Sequence, residues 1–409
     1  MTDSGGATRQ TIRATIGALL LVAVIDLLTN SIDTARFSWD FRYYFDMAEH
    51  GLRGPLASPF AYRYLIPLVV HGLSLATGLR VGAGFMLIAY LGAFAQLLGV
   101  FLFTRWYTKS IRGAWLAMLV VAFSLFNVKF LMFDPFRPDH LAYPLILLQA
   151  YFALSGRFVP LVVATMVGSQ IREFNVVPLA AYLLVALRRA GASSIPAERR
   201  RTIIELAVSI CAMGAALVLP RVLIPVVEDF QFASFSRDGI LRPLLAPFIL
   251  ARDANFIYSL AAYMLPILVL AGPREVVRKA QSMAPPDRTF FGAYIALVVV
   301  LSFLGGVDFF RFSTYLLLPQ IAMLGLLAEE APAARLGIML ACVFAFNRVW
   351  LPFPMSDRDA YLDFYGGFGT RFNDASIWRV GELIVLVGIG MISRRFLKTD
   401  RSAHAMRLP

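Results

Sequence analysis

The sequence predicts an all-α polytopic membrane protein: a transmembrane helical bundle of about twelve spans, with short interfacial helices in its first external loop. Three observations carry this. Hydrophobic residues make up 59% of the 409 and charged residues only 16%, where soluble domains carry about one-quarter. The mean hydropathy is +0.69. Apolar runs of about 18–22 residues, the length a helix needs to cross the hydrocarbon layer, recur along the whole chain. The polar stretches between them reach roughly 15–30 residues, so residues 1–409 read as a single integral membrane domain.

The first run, near 12–30, follows Arg9 and Arg13 and shows no small-residue cleavage site. It reads as a retained span rather than a signal peptide. Further spans are expected near 82–104, 113–133, 140–155, 158–172, 174–188, 203–226, 255–272, 290–305, 311–328, 335–351 and 378–393. Residues 31–81 form the first external loop. Within it, PFAYRYLIPLVVHGLSLATG (59–78) carries Arg63, Pro67 and His71 and reads as a helix lying on the membrane. Leaving it out of the span count puts Arg105, Lys109 and Arg112 on the same side as the clusters at 188–201, 274–288 and 394–398, as the positive-inside rule requires. Both termini are then cytoplasmic. The expected location is the cytoplasmic (inner) membrane of a prokaryote, with the functional face periplasmic or extracellular.

Several function classes fall away. The net charge of +12 comes from membrane-edge residues that meet anionic lipid, and no basic stripe with interleaved aromatics points to nucleic acid. Cys211 and Cys342 sit inside apolar runs and form no metal motif or disulfide framework. No Walker A, H-E-x-x-H or G-x-S-x-G pattern is present, which argues against ATP-driven transport, metalloprotease and lipase chemistry. Asp26 in the first span and Glu382 in the last read as acids paired inside the bundle.

What remains is a set of polar segments at outer helix ends. SWDFRYYFDMAEHGL (38–52) brings Trp39, Asp40, Tyr43, Tyr44, Asp46, Glu49 and His50 into the first external loop. Asp40 there is either a functional carboxylate or the N-cap of a short helix. DPFRPDHLAYP (134–144) packs Asp134, Arg137, Asp139 and His140 into an external turn with two prolines. It is a capped turn, or it supplies a second acid, a metal-ligand pair or a phosphate contact. SQIREFNVVP (169–178) interrupts an apolar stretch with Arg172 and Glu173, and GGVDFFRFSTYLLLP (305–319) starts a late span with Asp308 and Arg311. Each of these two pairs could simply be internal. Arginines on the side that topology disfavours, Arg63, Arg137 and Arg311 among them, argue for a local role, either pairing with acids or binding a phosphate.

The pattern W-D-x-x-Y-Y-x-x-[IM]-A-x-x-G, at Trp39, Asp40, Tyr43, Tyr44, Met47, Ala48 and Gly51 and followed by FAYRYLIPLV, resembles the first external loop and second juxtamembrane helix of the GT-C superfamily of integral-membrane glycosyltransferases. The D-x-x-R-[FY] of Asp308 and Arg311 looks like a donor-site feature of the same enzymes. The resemblance implies a sugar donor carried on a polyprenyl phosphate and an external glycan, lipid or protein acceptor. It further implies inverting transfer with an aspartate as general base. Family members often show a double acid where Phe41 follows Asp40, so the base is Asp40 first, with Asp46 or Asp33 as alternatives. Arg63, Arg172 and Arg311 would hold the donor phosphate, and Tyr43, Tyr44 and His50 would shape the sugar pocket. Asp139, His140, Glu173 and Asp308 would be further substrate contacts. No metal ligand set is assigned, and a divalent cation stays open as a cofactor. The rival class is a secondary transporter or a flippase for a lipid-linked sugar, which shares the span number but predicts repeats and ionisable groups at the bilayer midplane. A non-catalytic scaffold would tolerate loss of Asp40.

Overall fold

The computed structural model describes residues 4–32, 40–54, 56–192, 194–229, 250–304, 309–354 and 374–397. Nearly all of that chain is helix. In order it forms α1 (Ser4–Leu27), α2 (Phe41–His50), α3 (Leu65–Thr77), α4 (Val81–Thr108), α5 (Ile111–Ala122), α6 (Phe130–Phe133), α7 (Asp139–Leu154), α8 (Phe158–Ser169) and α9 (Val177–Ala192). Then follow α10 (Pro196–Leu223), α11 (Leu250–Tyr263), α12 (Leu265–Leu270), α13 (Pro273–Ser282), α14 (Pro285–Leu304), α15 (Phe309–Ser313), α16 (Leu317–Ala328), α17 (Ala333–Asn347) and α18 (Asp374–Phe396). A two-residue parallel pairing of Ala57–Ser58 with Glu228–Asp229 ties the first loop to the end of α10.

Among the described residues, seven helices are long and apolar enough to cross a membrane: Thr8–Leu27, Val81–Thr108, Glu173–Gly191, Pro196–Leu223, Pro285–Leu304, Phe309–Ala328 and Ser376–Phe396. The protein is a membrane-embedded helical bundle. An eighth crossing would be Ile111–Ala122 with Leu125–Phe133, which bend by 66° at their junction. The other four expected spans are shorter or interrupted. The first two are α7, of 16 residues, and α8, of 12. The stretch expected at 255–272 breaks at Met264 into α11 and the six-residue α12, because Pro266 suits the first turn of a new helix and not the interior of an old one. The last, α17, has 15 residues and ends where Arg348 turns left-handed (φ 48°).

Helix packing centres on α4, which contacts α1, α5 and α7, while α5 packs on α16 and α9 on α14. The α5–α16 crossing is close: a Cβ on Gly113 would lie 2.6 Å from the Cα of Gly325. In a bilayer, where apolar side chains gain nothing by leaving lipid, such small-residue contacts supply much of the helix–helix attraction. The run Phe309–Ala328 is 94% buried and lies at the middle of the bundle. The outward faces of α10 and α18 expose Ile203, Val218, Ile384 and Val385, as lipid-facing helices do.

Several polar groups inside the bundle are paired. Tyr90 donates to Asp26 at 2.7 Å. Glu382 meets Arg348 at 3.1 Å and also Arg379. Lys129, on the π-helical turn Leu125–Lys129, is 1% exposed and donates to the carbonyls of Leu28, Val349 and Leu351. It pins the end of α1 and the segment after α17 to the bent helix. The 59–78 segment forms a 3₁₀ turn, Phe60–Arg63, and then α3, whose 13 residues are too few to cross a bilayer.

Candidate acid–arginine site

Four segments far apart in sequence meet at one end of the bundle. The first is α2. Its apolar positions Phe41, Tyr44, Met47 and Ala48 recur at helical spacing and are buried. Asp40 heads the helix but its side chain makes no capping bond. Instead, one carboxylate oxygen lies 3.9 Å from Nη1 of Arg137, and the side chain stays 48% exposed. Asp40 thus holds the N-cap position without the side-chain bond that a cap would make.

The second segment is the turn from the bent helix into α7. Pro135 and Pro138 keep 134–138 out of regular helix, and Asp134 accepts from Nε of Arg137 at 2.6 Å. Arg137 thus sits between a buried acid and an exposed one. Asp139 opens α7 and accepts from the hydroxyl of Tyr315 at 2.6 Å.

The third segment is the reversal between α8 and α9. Arg172 is extended (φ −157°, ψ 135°), and its Nε lies 3.4 Å from Asp139. Gly168 makes room for the reversal, since a Cβ there would meet the side chain of Asn175 at 2.8 Å. Gln149 holds the Asn175 carbonyl at 2.9 Å. Glu173 receives Nε of Arg63 on both oxygens, at 3.0 and 3.1 Å, while Nη1 of Arg63 donates to the hydroxyl of Tyr44 at 3.2 Å. The fourth segment is α15 and the turn after it, which bring Arg311, Thr314 and Tyr315. Tyr315 stacks on Phe174 with ring centroids 4.2 Å apart.

Electrostatics separate the two buried aspartates. Burial pushes Asp139 up, but the guanidinium groups of Arg172 and Arg311, helped by the Tyr315 hydrogen bond, hold it well below the usual carboxylate range. Burial also pushes Asp134 up, and Arg137 offsets this only in part, so Asp134 stays raised. Burial raises the Tyr44 phenol. For Arg63, burial favours loss of the proton, and Glu173 with Tyr44 outweighs it and keeps the guanidinium charged.

The structure brings Asp40, Tyr44, Arg63, Asp139, Arg172, Glu173 and Arg311 into this one cluster. It does not bring the others. Asp46 lies about 120° around α2 from Asp40 at 100° per residue. His50 is exposed at the end of α2, its ring against the Asp46 carbonyl. Tyr43 stacks on Phe60 at 4.6 Å and receives Arg42. His140 turns from the cluster to the Pro135 carbonyl at 3.0 Å, and its backbone and Cβ fill the gap left by Gly92 on α4. Trp39, Asp33 and Asp308 lie outside the described residues. Among the described residues, no three His, Cys, Asp or Glu side chains gather as a metal site.

Arg137, an arginine on the side that topology disfavours, pairs with two acids, Asp134 and Asp40. Tyr315, Tyr143 and Thr314 lie inside segments that stand out in the sequence, but none of them is distinguished there as a site residue. Tyr143 and Thr314 share a 2.6 Å hydrogen bond. From there a buried polar chain runs inward: the Tyr263 hydroxyl donates to the Thr314 carbonyl, and Asn127 donates to that hydroxyl. Asn127, Tyr143 and Tyr263 sit singly among apolar neighbours, so only a helical-face count against a known partner could have flagged them. The arrangement as a whole is a floor of arginines braced by acids, with one half-exposed carboxylate at its rim. It can hold an anion and take a proton beside it. No protein-family model matches the chain, and no curated protein or solved structure matches it either.

Proposed function

We propose that this chain is a GT-C-like membrane glycosyltransferase that moves a sugar from a polyprenyl-phosphate donor to an external glycan, lipid or protein. The observation that carries the reading is Asp40, 48% exposed, beside Arg137 and above buried Asp134, Asp139, Arg172 and Arg311. An inverting transfer needs a base at the acceptor hydroxyl and a countercharge for the departing phosphate. Asp40 takes the hydroxyl proton as the acceptor oxygen bonds to the sugar's anomeric carbon. The bond from that carbon to the phosphate oxygen breaks, and its electrons leave on the lipid phosphate. Arg172 and Arg311, with Arg63 behind them, neutralise that phosphate. Asp139 and Glu173 fix the arginines rather than touch the sugar. In this reading the short and broken helices complete a set of about twelve crossings, the basic clusters lie in the cytoplasm, and the Asp40 rim faces outward.

The test is transfer from radiolabelled polyprenyl-phosphate sugars to membrane acceptors by wild type and Asp40→Asn at matched expression. Transfer should fall by about 10²–10⁴-fold, the usual worth of a general base, with thermal unfolding unchanged. Undiminished transfer by the variant would remove Asp40 from the chemistry. Saturable transport of a lipid-linked sugar in vesicles without any transfer would favour the flippase class.

A further inference from the structure

The far end of the bundle carries a second built site. Helices α7 and α9 both begin in the acid–arginine cluster, and both end at a pocket of about 550 Å³ lined by Gly156, Tyr182, Arg189, Ser194, Arg201 and Glu205. The 16 residues of α9 put that pocket about 24 Å from the cluster at 1.5 Å per residue. A second lobe of about 520 Å³ adjoins it, shares Arg201 and Glu205, and adds Phe158, Arg200 and Ile204.

We propose that this two-lobed pocket binds an anionic phospholipid, with the phosphate at Arg189, Arg200 and Arg201 and an acyl chain along α10. Three independent features argue for it. First, the charge is right: arginines 188–189 and 199–201 outnumber the nearby acids Glu198, Glu205 and Asp287. Second, the strongest acid contact is already spent. Buried Glu205 accepts from Tyr182 at 3.0 Å and from Nε of Arg201 at 2.9 Å, so it aims Arg201, whose side chain is 70% exposed, rather than repelling an anion on its own. Third, the lobe opens onto apolar surface suited to an acyl chain: Ile204 is 53% exposed and Val208, one turn on, 42%. Both α9 and α10 belong to membrane-crossing helices, so the arginines mark the level of the headgroups, where each is worth about 1 kcal/mol toward an anionic surface. A soluble phosphate would use the arginines but leave the apolar lobe empty.

The experiment is thermal unfolding of the purified, delipidated full chain in detergent, titrated with phosphatidylglycerol, phosphatidylcholine or inorganic phosphate. Phosphatidylglycerol should raise the midpoint saturably, and the other two should not. Arg189→Ala and Arg200→Ala leave the Arg201–Glu205 pair intact, and each should weaken the phosphatidylglycerol response about fivefold. Arg112→Ala, a basic change at the same end of the bundle outside the pocket, should leave it unaltered. Equal stabilisation by phosphatidylcholine overturns the proposal, as does an effect reproduced by inorganic phosphate. So does an undiminished response in both pocket variants. The comparison of additives uses the wild type alone, so it decides the matter even if a variant does not fold.

Discussion

Asp134 and Asp139 are both buried, at 2% and 1% exposure, yet the same substitution should cost far more at Asp139 than at Asp134. Asp139→Asn keeps an acceptor for Tyr315 but deletes the charge 3.4 Å from Arg172, itself 4% exposed. Removing one member of a buried pair costs about 3–5 kcal/mol, because the other charge stays behind in a poor solvent. Asp134→Asn differs. Its carboxyl is already held up by burial against the pull of Arg137, and Arg137 keeps Asp40 nearby. Its loss should cost about 1 kcal/mol or less, the net worth of an ordinary hydrogen bond. The assay is unfolding by SDS titration in mixed micelles at neutral pH, followed by helix signal. The pH response follows the same logic. The folded pKa of Asp139 lies below its unfolded one, so its stabilisation is complete above about pH 4 and vanishes as pH falls through the folded value. Asp134 has its folded pKa above the unfolded one, so its contribution is present below about pH 4 and is lost as pH rises through the folded value. Asp139→Asn should therefore cost less in acid than at neutral pH. The reasoning fails if Asp139→Asn unfolds within about 1 kcal/mol of wild type, or if the two variants cost the same.

Three further outcomes are expected. Arg63→Lys should lose either Glu173 or Tyr44, since a single ammonium cannot reproduce the planar fork. Its cost should be about 1–3 kcal/mol in the same titration, as for a buried group left unpaired, and Arg63→Lys behaving as wild type would show that the fork is not needed. Gly168→Ala should cost about 1–3 kcal/mol by overpacking against Asn175, while Gly272→Ala, whose Cβ meets nothing within 4 Å, should cost far less; equal effects would refute the close fit. Lys129→Met removes the donor shared by three carbonyls and should speed proteolysis near residues 349–354 several-fold, read by mass spectrometry of the fragments.

Apolar periodicity sufficed where a helix crosses the bundle without interruption, as α4, α14 and α18 do. It overstated continuity wherever a backbone break is set by a distant partner. Leu125 donates to the side chain of Asn347, 222 residues away, and this supports the bend between α5 and the π-helical turn. No local pattern encodes it. The same limit shaped the site. Asp40, Arg63, Arg172 and Arg311 are legible because polar residues at helix ends are conspicuous in an apolar chain. Asp46 and His50 are as conspicuous in the sequence, and the rotation and rise of α2, about 15 Å from Asp40 to His50 at 1.5 Å per residue, separate them from the cluster. Tyr315 was hidden because a tyrosine in a buried helix looks like packing until its hydroxyl is seen on Asp139.

The distribution of the cluster along the chain also has a consequence in time. Tyr315 lies 176 residues beyond Asp139, and at about 5–20 residues per second of synthesis that separation is roughly 10–35 s. During that interval Asp139 and Arg172 are inserted without Tyr315 or Arg311. The cradle therefore closes late in biogenesis, after most crossings are in place. A nascent chain released before residue 315 would carry the whole first loop and still lack a completed site.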